Sequence, residues 1–350
     1  MFQLGEKLKF TLFGSSHGPY VGCILEGIPA GTPVDADLIM KYMTLRKPAA
    51  GIGTPRKEPD IPEIVSGIRD SEADGSPILI RIPNTNVRDS DYSLYEHTPR
   101  PGHADLPAAV KGLNCLGGGV FSGRMTSAVV AGGSIARQFL YGHGIDISAF
   151  TRSIGAVADP EQRGSEDARG SEAFATRACT GDLDRTMKEE IMRASEDGDS
   201  IGGVTECMVS GLPIGFGGIW FEALDSELAR AVFSIPACKG VEFGKGFSLA
   251  GMRGSQSNDQ YCYRDGVRTM SNNLGGIVGG MSDGAPLLFR AVFKPTPSIA
   301  KPQHTVDLRT GADVGIRVSG RHDPCIVPRA AVVVESMAAL VIADQIRRGF

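Results

Sequence analysis

The chain has 350 residues, 41% hydrophobic and 22% charged, with a formal net charge of -4, which excludes a disordered chain and allows one large core or two smaller ones. It has no Lys/Arg block, no apolar run near the roughly 18 residues of a membrane span, and no charged-plus-apolar leader at Met1–Glu6. The expectation is a cytoplasmic globular protein that acts on small molecules, with neither nucleic acid nor membrane as partner.

In chain order, the first notable segment is the loop Gly14-Ser15-Ser16-His17-Gly18, followed by a strand-like run Gly22–Leu25, the turn Glu26-Gly27-Ile28-Pro29-Ala30-Gly31 and a helical stretch from 35 to 43. A second strand-like run, Ile78–Ile82, precedes the loop Arg100-Pro101-Gly102-His103-Ala104-Asp105. Gly117-Gly118-Gly119-Val120-Phe121-Ser122-Gly123-Arg124 then leads into a helical stretch from 123 to 141, whose Ala128, Ala131, Gly132 and Ala136 allow close packing. Residues 159 to 178, rich in Gly, Ser and charge, are expected to be an exposed excursion without chemistry. Helical stretches at 184–195 and 225–233 and strand-like runs Thr205–Val209 and Leu287–Val292 follow. The loop Arg321-His322-Asp323-Pro324 precedes a last helical stretch, 329–347, in which Glu335 is the one charge between Ala330 and Ala343. That helix should lie in the middle of the core. The pattern is that of an α+β protein. The strand into Gly-x-Pro-x-Gly recurs at Val209-Ser210-Gly211-Leu212-Pro213-Ile214-Gly215, as in a single domain, 1–350, built from two related halves; chance recurrence of a turn is the alternative.

Three of these loops set titratable or cationic side chains beside Gly or Pro, the mark of a site assembled from distant segments. His17 and His103 read as proton-transfer groups, with a capped loop or a satisfied buried imidazole as the structural alternative for either. Arg124 falls in the first turn of a helix, where a cation is disfavoured by about 0.3–1 kcal/mol unless an anion sits beside it. An anion contact is therefore expected there. The seven cysteines, at 23, 115, 179, 207, 238, 262 and 325, are odd in number and widely spaced. They suit reduced, buried fillers, neither a disulfide framework nor a metal cluster.

Together these segments resemble the chorismate synthase family over essentially the whole chain. The loops around His17, His103 and Asp323, with Glu335, are similar to its signatures. So are Gly198-Asp199-Ser200-Ile201-Gly202-Gly203, Lys239–Gly244, Ser271-Asn272-Asn273 and Lys294-Pro295-Thr296-Pro297-Ser298-Ile299, in the family's order. The resemblance implies a β-α-β sandwich with helices between antiparallel sheets, and a homotetramer. It implies a lyase of the shikimate pathway that converts 5-enolpyruvylshikimate 3-phosphate to chorismate and phosphate, a 1,4-elimination needing reduced FMN without net redox change. By the same resemblance His17 would protonate the leaving phosphate, His103 would act near the flavin, and Asp323 would help the flavin N5 region accept the substrate proton. Ser16, Arg46, Ser122, Arg124 and Arg321 would bind the substrate's anionic groups. Lys294, Ser298, Asn272 and Asn273 would contact the cofactor, together with Ser122 and Arg124.

The chain departs from many relatives at Lys47 and Ile52, where they carry arginines, and at Val120 and Met125, where an arginine and a glutamate are common. Lysine keeps the charge of arginine and loses its bidentate fork. Some relatives also reduce their own flavin with NADPH; no dinucleotide fingerprint follows a strand here, so a monofunctional enzyme fed by an external flavin reductase is expected. The rival classes are a non-catalytic flavin- or phosphometabolite-binding protein of the same fold and a lyase working without flavin.

Overall fold

The computed structural model describes residues 2–49, 51–54, 58–86, 93–318 and 323–350. Its helices are α1 (Ala36–Arg46), α2 (Asp105–Val110), α3 (Thr126–Tyr141), α4 (Ser165–Gly170), α5 (Gly181–Glu196), α6 (Leu224–Phe233), α7 (Gly254–Ser257) and α8 (Val327–Arg348). A first five-stranded sheet runs in the order Gln3–Leu4, Lys9–Gly14, Tyr20–Glu26, Ile78–Pro83, Glu63–Ser66. A second runs Cys238–Phe243, Leu287–Phe293, Gly203–Ser210, Asp146–Ile154, Val157–Ala158. Every neighbouring pair in both is antiparallel.

One face of the first sheet is apolar by period-2 alternation. Val21, Cys23 and Leu25 pair with Ile82, Ile80 and Ile78, and all six are fully buried, each aliphatic side chain contributing about 1.5–3 kcal/mol. The helices α3 and α8 lie between the sheets. α3 packs on strand Tyr20–Glu26, and α8 on strands Asp146–Ile154 and Gly203–Ser210. Two adjacent glycines make this possible. A Cβ on Gly132 would lie 2.6 Å from the Phe10 ring in the first sheet, and one on Gly133 would lie 2.4 Å from the Cβ of Ser336 in α8. Between Val327 and Gln345, Arg329 alone is not buried. The expected β-α-β sandwich of the α+β class, with the apolar last helix at its centre, is the observed architecture.

The segment 159–178 corrects the sequence reading. It contains α4, and Asp159, Ala168, Ser171, Thr176, Arg177 and Ala178 are buried. Glu161, Gln162, Glu166, Asp167 and Arg169 are exposed as expected, but the buried polar residues have partners: Asp159 pairs with Arg163, and Arg177 reaches Glu335 of α8. All seven cysteines are unpaired. Among the described residues no helix is long and apolar enough to cross a membrane.

Candidate active site

The loop carrying His17 leaves the edge of strand Lys9–Gly14 and is stitched down on two sides. Asn84, just past strand Ile78–Pro83, donates its side-chain N–H groups to the carbonyls of Ser15 (3.0 Å) and Gly18 (2.7 Å). Ser16 donates its backbone N–H to Gly119 O (3.2 Å) and its hydroxyl to Gly117 O (3.0 Å). With that proton committed, Ser16 Oγ accepts from His17 Nδ1 at 3.1 Å, so a proton transferred at Nε2 requires the imidazolium form. The three glycines are the floor of this arrangement. Gly117 sits at φ 59, and a Cβ there would fall 1.5 Å from His17 Cε1; one on Gly118 would lie 3.8 Å from His103 Nε2 and 3.6 Å from Ser122 Oγ. The predicted pair His17 and His103 thus meets across the Gly117–Gly118 turn.

His103 is oriented by Asp105, the first residue of α2, whose Oδ1 lies 2.5 Å from His103 Nδ1. Arg100 grips the same carboxylate, with Nε 2.7 Å from Oδ2 and Nη2 2.9 Å from Oδ1. Burial alone would raise the Asp105 carboxyl; hydrogen bonds from Arg100 and His103 overcome it and hold the group well below the usual carboxylate range. Cys115 Sγ lies 3.6 Å from Asp105 Oδ1, and burial with that neighbouring charge pushes the thiol up to about 11. His103, Asp105 and Cys115 have their ligand-type atoms within 4.8 Å of one another. Arg100 already neutralises the carboxylate and the thiol stays protonated, so the cluster is built as an ion-pair network and suits a metal poorly.

The loop with Lys294 and Ser298 closes against this network. Ser298 Oγ accepts from Arg100 Nη1 at 3.2 Å, and a Cβ on Gly102 would lie 3.4 Å from Pro297 and 3.9 Å from Lys294 Nζ. Burial lowers the Lys294 ammonium, and the charge of Lys239 lowers it further. Thr296 Oγ1 donates to Asp323 O at 2.8 Å, joining the loop to the third predicted proton-transfer residue. Burial raises the Asp323 carboxyl above its ordinary value, against the opposing pull of Arg329 and Arg46. The arginine paired with it is Arg329 in the first turn of α8, which also donates through Nε to Arg46 O at 2.9 Å. Arg321 lies outside the described residues.

Arg46 and Arg124 do come together, and the anion beside them belongs to the chain. Asp60 Oδ2 accepts from Arg46 Nη2 at 2.6 Å and its Oδ1 is bonded by Arg124 Nη1. Sequence reasoning passed over Asp60, one of three acids in Glu58-Pro59-Asp60-Ile61-Pro62-Glu63, where nothing local sets it apart from its neighbours. Ser122 caps the turn before α3 by accepting the Arg124 N–H at 3.2 Å. Ile52, one of the departures, packs in the main core. Asn272 and Asn273 are placed elsewhere, on an open pocket of about 680 Å³ that also has Arg152, Lys245, Arg268 and Arg290 on its wall. Asn272 donates to Pro286 O (2.7 Å) and the Asn273 N–H donates to Asp259 (2.7 Å). The first loop, the triglycine turn, the Arg100–Asp105 loop, the 294–298 loop and Asp323 are joined by these contacts, and none of them lines the pocket that holds the two asparagines.

A sandwich with buried arginines, two histidines on a glycine floor and a raised carboxyl in loops has the groups that an enzyme for proton transfer on an anionic small molecule needs. The comparisons make the class specific. The family model for chorismate synthase matches residues 8–346. Over 98% of its length the chain is 45% identical to the chorismate synthase of Thermococcus kodakarensis, covering 97% of that protein, and 46% identical to that of Pyrococcus abyssi, covering 96%. A crystal structure of chorismate synthase superposes with a TM-score of 0.77 at 30% identity, over 99% of this chain and 93% of that one. The chain belongs to the chorismate synthase family, whose members eliminate phosphate from their substrate to form chorismate, and that lyase reaction is its function.

Proposed function

We propose that the elimination from 5-enolpyruvylshikimate 3-phosphate depends on reduced FMN and runs through His17, His103 and Asp323. The observation that carries this is the convergence of His17 and His103 on the Gly117–Gly118 turn, with Asp323 tied to the same site through Thr296. The residues fit a flat, phosphorylated cofactor: Gly102, Gly117 and Gly118 keep side chains off the floor, and Lys294 with Ser298 offers a phosphate contact where a second ammonium, Lys239, leaves excess positive charge. When bound, reduced FMN supplies electron donation to the allylic system.

His17, as the imidazolium, protonates the leaving phosphate; the proton on Nδ1 is held by Ser16 and the one on Nε2 is given up. His103 is fixed by Asp105 beside the cofactor. Asp323 assists removal of the ring proton, a task its raised carboxyl suits because a stronger base is available nearer neutral pH. Arg46, Arg124, Ser16 and Ser122 bind the phosphate and carboxylate groups. With this reading go an external flavin reductase, a cytoplasmic location and a homotetramer; the exposure of Trp220 (82%), Phe221 (92%) and Phe247 (85%) supports association with further copies. The two-halves organisation belongs with this proposal. Gly27 and Gly31 after the first sheet's strand have φ 91 and 80, and Gly211 and Gly215 after the second sheet's strand have φ 88 and 82.

The test is anaerobic turnover of 5-enolpyruvylshikimate 3-phosphate with chemically reduced FMN. Equal amounts of chorismate and phosphate, lost when reduced FMN is omitted, are expected; turnover unaffected by the omission overturns the flavin dependence. Aerobic turnover with FMN and NADPH alone would overturn the monofunctional assignment.

A further inference from the structure

Arg46 and Arg124 are both buried, and each keeps donors in reserve. A guanidinium has five N–H groups. Arg124 uses three, toward Asn84 Oδ1 (2.8 Å), Asp60 and Pro83 O (3.0 Å). Arg46 uses Nη1 toward Thr126 Oγ1 (3.2 Å) and Gly123 O (3.4 Å) and Nη2 toward Asp60, while its buried Nε has no partner. Each arginine therefore retains two N–H groups. Asp60 is 2% exposed, lies in the left-handed region at φ 51, and is flanked by Pro59 and Pro62, which stiffen its segment.

We propose that Asp60 is a positioning residue for substrate binding: its single carboxylate spans Arg46 and Arg124, holds them side by side, and leaves their remaining donors to one anionic group of the substrate. This rests on the assignment of those two arginines to the substrate. Two mutually repelling guanidiniums in a buried place would otherwise turn apart or lose charge. Among the described residues three cations, Arg46, Arg124 and Arg329, share two carboxylates, Asp60 and Asp323, which leaves one of these positive charges for the incoming anion.

The same geometry has a pH consequence. Burial lowers Arg46 to about 10, Arg329 and Arg124 push it the same way, and the carboxylate of Asp60 is the main opposing influence; the nearby Asp323 is engaged by Arg329. Removing the Asp60 charge lowers Arg46 further, and its protonated form is lost at a lower pH.

The experiment is Asp60→Asn, which keeps shape and tolerates the left-handed backbone, assayed anaerobically with 5-enolpyruvylshikimate 3-phosphate and reduced FMN across pH. KM should rise about 10- to 100-fold, from the loss of a charged hydrogen-bond partner, and the alkaline limb of kcat/KM should move to lower pH. Affinity for oxidised FMN, read by fluorescence, should change less than KM, because Arg124 is the one expected cofactor contact that Asp60 holds. A folded variant with an unmoved alkaline limb overturns the proposal, as does a lowered KM, which would make Asp60 a competitor that substrate displaces. If Asp60→Asn does not fold, Asp60→Glu decides: a raised KM with the wild-type limb supports positioning, and a wild-type KM overturns it. Wild-type enzyme with no turnover would instead sink the flavin-dependent assignment.

Discussion

Asp60 between Arg46 and Arg124, and Glu335 between Arg137 and Arg177, are the same three-group arrangement in two settings. Glu335 sits in the middle of α8. Its Oε2 accepts from Arg137 Nη1 of α3 at 2.8 Å, and its Oε1 accepts from the Ala149 N–H at 2.7 Å and Arg177 Nη2 at 3.3 Å. Arg137 also donates to Ile147 O (2.6 Å) and stacks over the Tyr42 ring at 4.1 Å. Each group there is anchored in a central helix, a strand or the segment packed on them. The Asp60 cluster is held from the end of α1, a proline-flanked loop and a short turn before α3, next to the loops of the site. A charged cluster fixed by the sandwich's own elements joins its layers; one held from loops orients donors toward a ligand.

The sharpest way to break that contrast is Glu335→Gln. It leaves two buried guanidiniums uncompensated, and a loss of about 3–5 kcal/mol of stability is expected, read by denaturant unfolding. Near-wild-type stability would show that the inner cluster is no more structural than the outer one. Next in size is His17→Ala, which should lower kcat about 10²- to 10⁴-fold while leaving the unfolding midpoint in place; a parallel fall in stability would mean that the His17 loop is part of the framework.

The smallest expected effect is a displaced pH limb in Arg329→Met. Burial raises Asp323 and Arg329 partly opposes it, so removing the cation raises the carboxyl further and moves the acid limb of kcat/KM to higher pH. The stability linkage has the same origin. The folded state holds the Asp323 proton more tightly than the unfolded chain, so wild-type stability falls as pH climbs from the ordinary Asp value through the raised one. An acid limb that stays put in Arg329→Met would separate Asp323 from the rate-determining proton transfer.

Much of the scaffold was legible because its elements carry local signals. The helical stretches at 35–43, 184–195 and 225–233 are α1, α5 and α6, and the apolar stretch around Glu335 is the central α8. His17, His103 and Asp323 could be picked out because each stands in a loop beside Gly or Pro, where a titratable side chain has few structural reasons to be. Asp60 also stands beside a proline, but Glu58 and Glu63 share its run and nothing there singles it out, since its meaning lies in two arginines distant in sequence. Residues 159–178 misled for the opposite reason. Their composition is that of a solvated loop, and it took Arg163, four residues on, and Glu335, across the fold, to make burial of Asp159 and Arg177 favourable.

The sequence by itself determined the α+β class, the small-residue face of α3, the apolar character of α8 and the loops that hold the candidate proton-transfer side chains, because each follows from periodicity, residue size or chemistry within a short window. Tertiary structure decided which charges meet. It gave Asp323 to Arg329, gave one carboxylate to both Arg46 and Arg124, and set Asn272 and Asn273 in a pocket with Arg268 and Arg290. Ion pairing depends on distances of a few ångströms between segments that the chain order leaves far apart, and only the packed sandwich supplies them.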